Sequence, residues 1–267
     1  MNCSKEHIDY LKKVKKKKIA IFSTQILLLA IFFVAWEIAA SFKIIDPFIT
    51  SQPSRIVKTM ANLYNQGVLF YHIGITCVET IVGFISGTII GIIISIILWG
   101  FDFLGKVFEP YLVVLNSLPK IALGPIIIVW IGAGPASIIV MALTISLIVT
   151  IMEVLNGFIN VDEDKIKLAK TFGASKIQIL TKVVLPASFP VMLNALKINV
   201  GLSWVGVIVG EFLVSKAGLG YLIVYGGQVF QLDLVMMSVL ILAAAAAIMY
   251  QGVVFIQKKL GYDLHNN

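Results

Sequence analysis

The sequence predicts an all-α, polytopic membrane helical bundle of about six transmembrane helices with one polar loop between the fourth and the fifth. Two observations predict it. Hydrophobic residues make up 59% of the 267 and charged residues only 13%, about half the charge of an ordinary soluble domain, and the mean hydropathy is +0.97. The apolar residues also gather into six runs of roughly the 20 residues that carry a helix across a bilayer. They lie at 19–42, 73–100, 111–131, 136–158, 193–213 and 234–256. A single transmembrane domain at 19–257 therefore follows a basic segment at 1–18, holds its polar loop at about 159–190, and precedes a tail at 258–267.

The first run follows a lysine cluster at 12–18 and is too long for the apolar region of a signal peptide, with no small-residue cleavage site, so it reads as an uncleaved span. Ser51-Gln52-Pro53-Ser54 then leads an amphipathic stretch carrying Ile56, Met60, Leu63 and Tyr64. In the second run Gly83, Gly87 and Gly91 recur every fourth residue. That leaves a bare backbone face for close helix packing in lipid, within the chain or across a dimer. The third run is the least regular: Pro119 removes a backbone donor, and Asn116, Ser117 and Lys120 interrupt the first half. A short helix, a kink at Leu118-Pro119 and then the main span are expected.

Between the fourth and fifth runs the polar loop carries its own helix signals. Asp162 suits an N-cap, Glu163 and Asp164 suit the positive end of a helix dipole, and Lys170 suits the other end. Gly173 supplies a left-handed stop, and Ser175 caps a second helix in which Ile177, Leu180 and Val184 share a face before Pro186 breaks or bends it. A helix-glycine-helix elbow results. Leu168 and Phe172, four residues apart, form an apolar ridge on it, framed by Lys165, Lys167 and Lys176. Taken alone, the elbow could equally lie on the membrane surface with its lysines toward lipid phosphates.

Orientation follows from the cations. With the N-terminus inside, Lys106, Lys165, Lys167, Lys170, Lys176, Lys182, Lys258 and Lys259 join the N-terminal cluster in the cytoplasm, while only Lys43, Arg55, Lys58 and Lys216 lie outside. This is the positive-inside asymmetry. Lys120 and Lys197 remain near span ends on this reading. Of the intramembrane acids Glu37, Glu79 and Glu211, each is either a structural partner of a cation such as Lys43, Arg55 or Lys216 or a contact for solute.

Several function classes drop out. The basic cluster abuts a span, so anionic lipid rather than nucleic acid accounts for it. No Gly-x4-Gly-Lys-Ser/Thr loop is present, so the chain is not itself an ATPase. His7, His72 and His265 are scattered without metal-ligand spacing, Cys3 and Cys77 form no disulfide framework, and no cofactor or metal is expected.

The spacing of the polar loop carries a resemblance. Lys167-Leu168-Ala169, three residues, Gly173, nine residues and then Val183-Val184-Leu185-Pro186 resembles the EAA loop of ABC-importer permeases. That loop reads Glu-Ala-Ala, three residues, Gly, nine residues, Ile, any residue, Leu-Pro. Lys167 and Leu168 depart from it, and Gly173, Val183, Leu185 and Pro186 carry the match. Leu118-Pro119-Lys120-Ile121-Ala122-Leu123-Gly124-Pro125, Val129-Trp130-Ile131-Gly132, and Gly210-Glu211 with Gly218-Leu219-Gly220-Tyr221-Leu222-Ile223 are similar to the nitrate/sulfonate/taurine-type branch. Glu79 departs from that branch, which commonly has Arg there.

The resemblance implies a non-enzymatic permease for a small solute such as a sulfonate, nitrate or a vitamin precursor. It implies a homodimer in a prokaryotic cytoplasmic membrane with both termini inside. It also implies two cytoplasmic ATPase subunits docked on Lys167, Leu168, Ala169, Phe172, Gly173, Val183, Leu185 and Pro186, and an extracytoplasmic solute-binding protein. Glu211, Pro119 and Pro125 are its candidates for the gate or pathway. A secondary transporter and a membrane-embedded assembly or anchoring protein remain as alternatives. The first would need ion-coupling acids near the midplane and an internal repeat, and the second would need no elbow of defined spacing.

Overall fold

A computed structural model describes residues 5–259, all of whose regular elements are helical. The chain opens with α1 (Lys5–Ser41), in which the basic cluster and the first apolar run form one uninterrupted helix rather than a segment followed by a span. Most of its apolar length within Lys12–Ser41 is left uncovered by the rest of the chain. Only its far end is fixed, where it meets α2 (Pro47–Thr50) and α3 (Pro53–Asn65). There Glu37 accepts the backbone N–H of Ser54 at 3.0 Å. The amphipathic α3 turns Ile56 and Leu63 into an apolar cluster.

The bundle centre consists of α4 (Leu69–Gly100), α7 (Pro135–Ile159) and α10 (Leu185–Val214). Small residues explain how closely these backbones approach. A Cβ on Gly83 would stand 2.7 Å from Ala142 Cβ, one on Gly87 would stand 2.4 Å from Ser146 Oγ, and one on Gly91 would stand 2.7 Å from Thr150 Cβ. The glycine face of α4 therefore meets α7 of the same chain. α10 meets the same residue of α7, since a Cβ on Gly206 would fall 2.4 Å from Ala142 Cα. Lipid tails are as apolar as these surfaces, so van der Waals fit and polar bonds hold such helices together. Asn199 supplies the polar bond, its Nδ2 donating to Thr88 Oγ1 at 3.4 Å and to Thr150 Oγ1.

The third apolar run departs from expectation. It consists of α5 (Asp102–Ser117), a 3-10 turn at Lys120–Leu123 and α6 (Gly124–Ile131), with a 91° bend between the halves. The longer half precedes the kink, and the eight residues of α6 are too few to form the main span. Leu118 is held extended by the following proline (φ −66°, ψ 141°). Lys120 closes the break by folding its Nζ back onto the Asn116 carbonyl at 2.9 Å and the Asn116 Oδ1 at 3.1 Å. Among the described residues five helices are long and apolar enough to cross a membrane, and six spans result if the bent pair counts as one.

Between α7 and α10 lie α8 (Glu163–Thr171), α9 (Lys176–Ile179) and a π-helical turn at Leu180–Val184, which joins α9 to α10 without a break. After α10 come α11 (Leu219–Gln228) and α12 (Leu232–Lys259). α12 is latched to the start of α3, because Asp233 accepts from Arg55 Nη2 at 2.7 Å, Arg55 Nε at 3.0 Å and Ser51 Oγ at 2.7 Å. The tail expected at 258–267 begins as the last turn of α12, and its remainder lies outside the described residues.

Candidate functional site

The elbow is built from local chemistry. The Asp162 side chain accepts the N–H of Asp164 at 2.9 Å and starts α8. Two bonds stop the helix: Gly173 N–H donates to the Lys170 carbonyl at 2.9 Å and Ala174 N–H to the Ala169 carbonyl at 3.1 Å. This is the Schellman pattern, and it needs a left-handed residue, which Gly173 provides at φ +75°. Two residues later a capping box opens α9, with Ser175 Oγ accepting from Gln178 N–H and Gln178 Oε1 accepting from Ser175 N–H.

The loop residues divide by the direction they face. Ala169, Val183 and Leu185 turn inward with Ile166, Ala174 and Leu180, against a buried cluster of Val154, Phe158, Val161, Ile179, Val184 and Ala195. Leu168 (58% exposed), Phe172 (81%) and Ile177 (74%) turn outward. Ile177 thus leaves the face it was expected to share with Leu180 and Val184. The π turn that begins at Leu180 inserts extra backbone and changes the helical phase. Pro186 does not break the chain's course; it follows directly on the π turn, at the start of α10. Lys167 binds its own helix, at 3.1 Å from Glu163 and 3.6 Å from Asp164, and the Glu163 carboxylate raises its pKa. Such exposed pairs contribute little to stability. Lys176 approaches Asp102 of α5 at 3.6 Å.

At the other end of the bundle, Glu211 is 1% exposed. It contacts backbone, and among the described residues it forms no ion pair with Lys216. Its Oε2 accepts Gly220 N–H at 2.5 Å and Tyr221 N–H at 3.3 Å. Gly218 N–H donates to His72 Nδ1 at 2.9 Å and Leu219 N–H to Thr76 Oγ1 at 2.8 Å. The four N–H groups that a helix start leaves without partners are therefore all taken by side chains from α4 and α10. Glycine is required because a Cβ at Gly218 (φ +112°) would lie 2.4 Å from the Glu211 carboxyl, and one at Gly220 would lie 2.8 Å from it. Glu79 brings a second buried carboxyl to the first. This burial places Glu211 inside the fold, where it pins α11 to α10. Pro119 is exposed beside the bend, and Pro125 opens α6.

Residues 87–261, about two thirds of the chain, match the family model described as "Binding-protein-dependent transport system inner membrane component". The chain belongs to this family. Relatives agree with it: a probable ABC transporter permease protein of Haemophilus influenzae is 29% identical over 84% of this chain and 91% of its own length. The putative aliphatic sulfonates transport permease protein SsuC of Bacillus subtilis is 28% identical over 88% and 85%. The taurine transport system permease protein TauC of Escherichia coli is 22% identical over 87% and 86%. The fold is shared with a chain of a bacterial ABC transporter involved in the import of the acidic polysaccharide alginate, with a TM-score of 0.63 and 14% identity over 94% of this chain and 99% of that one. It is also shared with a chain of the MetNI methionine ABC transporter, with a TM-score of 0.56 and 21% identity over 70% and 97%.

The chain is thus a multi-pass permease subunit of an ABC importer, and membership of the family implies a binding protein and an ATPase as partners. Sequence reasoning overlooked His72, Thr76 and Asn199 in this permease. His72 and Thr76 were hidden because their partners lie 146 and 143 residues away. A helix N-terminus rich in glycine, Gly218-Leu219-Gly220, with no Ser, Thr, Asp or Asn to cap it, was the available sign that caps had to come from elsewhere.

Proposed function

We propose that this permease works as a homodimer in a prokaryotic cytoplasmic membrane, with the elbow and both termini inside, and that each elbow docks on one ATPase subunit. The observation that carries this reading is the outward ridge of Leu168, Phe172 and Ile177 on an elbow whose other side is buried. An exposed apolar ridge on a rigid, water-facing loop needs a partner with an apolar groove. Force applied there is transmitted, because α9 continues through the π turn into α10 and α10 packs on α7 and α4. ATP binding draws the two ATPase subunits together, the elbows follow, and the α10 helices shift with them toward an outward-open pathway. Hydrolysis and release restore the first state. The bias comes from the different contacts ATP makes in the two states. The lysine asymmetry supports the orientation, and relatives named for sulfonates and taurine support a small, water-soluble solute delivered by a binding protein.

Leu168→Asp and Phe172→Asp test the docking role. Both side chains are exposed, so insertion and melting should be nearly unchanged. Each charge removes an apolar contact of about 2 kcal/mol from the docked complex, a roughly thirty-fold loss of affinity. The expected outcome is loss of ATPase co-purification and of transport-coupled hydrolysis. Normal uptake by both variants sinks the proposal.

A further inference from the structure

Lys197 lies midway along α10 and is half-buried. α10 runs antiparallel to α7, with Ser188 Oγ donating to the Gly157 carbonyl, Asn199 to Thr150, and Gly206 and Gly210 packed on Ala142 and Ile138. Lys197 stands two residues before Asn199 and nine beyond Ser188, about 14 Å along the axis from the level where α7 ends. It is not near a span end, as the sequence suggested. Among the described residues it makes no hydrogen bond or ion pair, whereas Lys120, the other lysine within a span, is held by Asn116.

The face that carries Lys197 is also unusual. Asn199, Ser203, Gly206 and Gly210 on the opposite side of α10 are buried against the bundle. Asn194 and Gly201, three and four residues from Lys197 and on its side of the helix, are exposed. A Cβ on Gly201 would meet nothing within 4 Å. Ile198 and Val205 are exposed nearby, but a cation and an amide beside an open glycine still make a poor lipid-facing surface, because an unpaired ammonium in hydrocarbon is expensive and such groups occur where water or a ligand reaches them. An ammonium offers three donors and no acceptor, so its complement is an anionic group.

We infer that Lys197, with Asn194 and Gly201 beside it, lines the solute pathway and contacts an anionic group of the transported solute, such as a sulfonate, carboxylate or phosphate. The inference rests on the permease reading above and adds the charge of what passes.

The test uses the full chain expressed with its ATPase subunit, with Cys3 and Cys77 replaced by Ser and a single cysteine introduced by Gly201→Cys or Asn194→Cys. Reaction rates with an anionic sulfonatoethyl methanethiosulfonate and a cationic trimethylammonioethyl methanethiosulfonate are each normalised to the rate with a free thiol. The anionic reagent should be favoured by on the order of ten-fold. Lys197→Gln should bring the ratio near unity, and Lys197→Arg should retain it. Absence of reaction with either reagent, a cationic preference with Lys197 present, or a ratio unmoved by Lys197→Gln overturns the inference. The first measurement leaves Lys197 intact, so it decides the matter even if Lys197→Gln does not accumulate. Failure of the permease reading is a separate result: the unsubstituted chain would then neither bind the ATPase nor support uptake, whatever the cysteine rates.

Discussion

Substitution at Gly173 separates the geometry of the elbow from every other property of the protein. Gly173 has φ +75°, and a Cβ built there meets nothing within 4 Å. A side chain at this position therefore causes no clash, and the whole penalty lies in the backbone. Left-handed conformation costs an ordinary L-residue about 1–2 kcal/mol, less for Asn, whose short polar side chain tolerates it, and more for a β-branched residue. One to two kcal/mol is a factor of roughly 5–30 in the population of the formed elbow. Loss of the turn releases the Gly173-to-Lys170 and Ala174-to-Ala169 bonds and lets the ridge of Leu168 and Phe172 move relative to α9. ATP hydrolysis stimulated by loaded binding protein, measured on the purified complex in lipid, should then fall in the order Gly173, Gly173→Asn, Gly173→Ala, Gly173→Val. Thermal unfolding of the bundle should stay within about 0.5 kcal/mol, as for exposed sites without packing. Equal coupling by Gly173→Val and the unsubstituted protein, at equal expression, refutes the argument that the left-handed turn sets the docking geometry.

Two further predictions concern the opposite end and the orientation. Glu211→Ala strands the N–H groups of Gly220 and Tyr221 and should destabilise the complex by about 3 kcal/mol, whereas Glu211→Gln, which can accept from Gly220 and offer an N–H toward the Glu79 Oε2 that lacks a donor among the described residues, should stay within about 1 kcal/mol. Equal melting of the two variants contradicts the role of Glu211 as the pin of α11. For orientation, single cysteines made by Ser175→Cys and Lys216→Cys should differ in intact cells: an impermeant thiol reagent should label only the second, and equal labelling of both rejects the assigned topology.

Much of this protein was legible before any coordinates. Composition and the length of the apolar runs determine that it is a helical membrane protein, since a bilayer admits few other structures. The elbow was legible too, because Asp162, Gly173 and Ser175 act on backbone groups two or three residues from themselves, and local chemistry survives in a linear reading. The spacing from Gly173 to Pro186 carried the family.

Tertiary structure decided the rest. A helix that is apolar on all sides carries little periodic signal to say which face meets a neighbour, so the choice of α7 as the partner of Gly83, Gly87 and Gly91, and of Thr88 and Thr150 as the partners of Asn199, required the packed bundle. The broken third span came out differently because two prolines and a folded-back Lys120 set its bend, not its hydropathy. Ile177 faces outward because a π turn shifts the helical phase, which a regular 3.6-residue period does not anticipate. Glu211 and Lys197 show the same limit most sharply. Each is a charged residue in the same apolar run, and only the contacts made by the rest of the chain make one a buried pin and leave the other open to an anion.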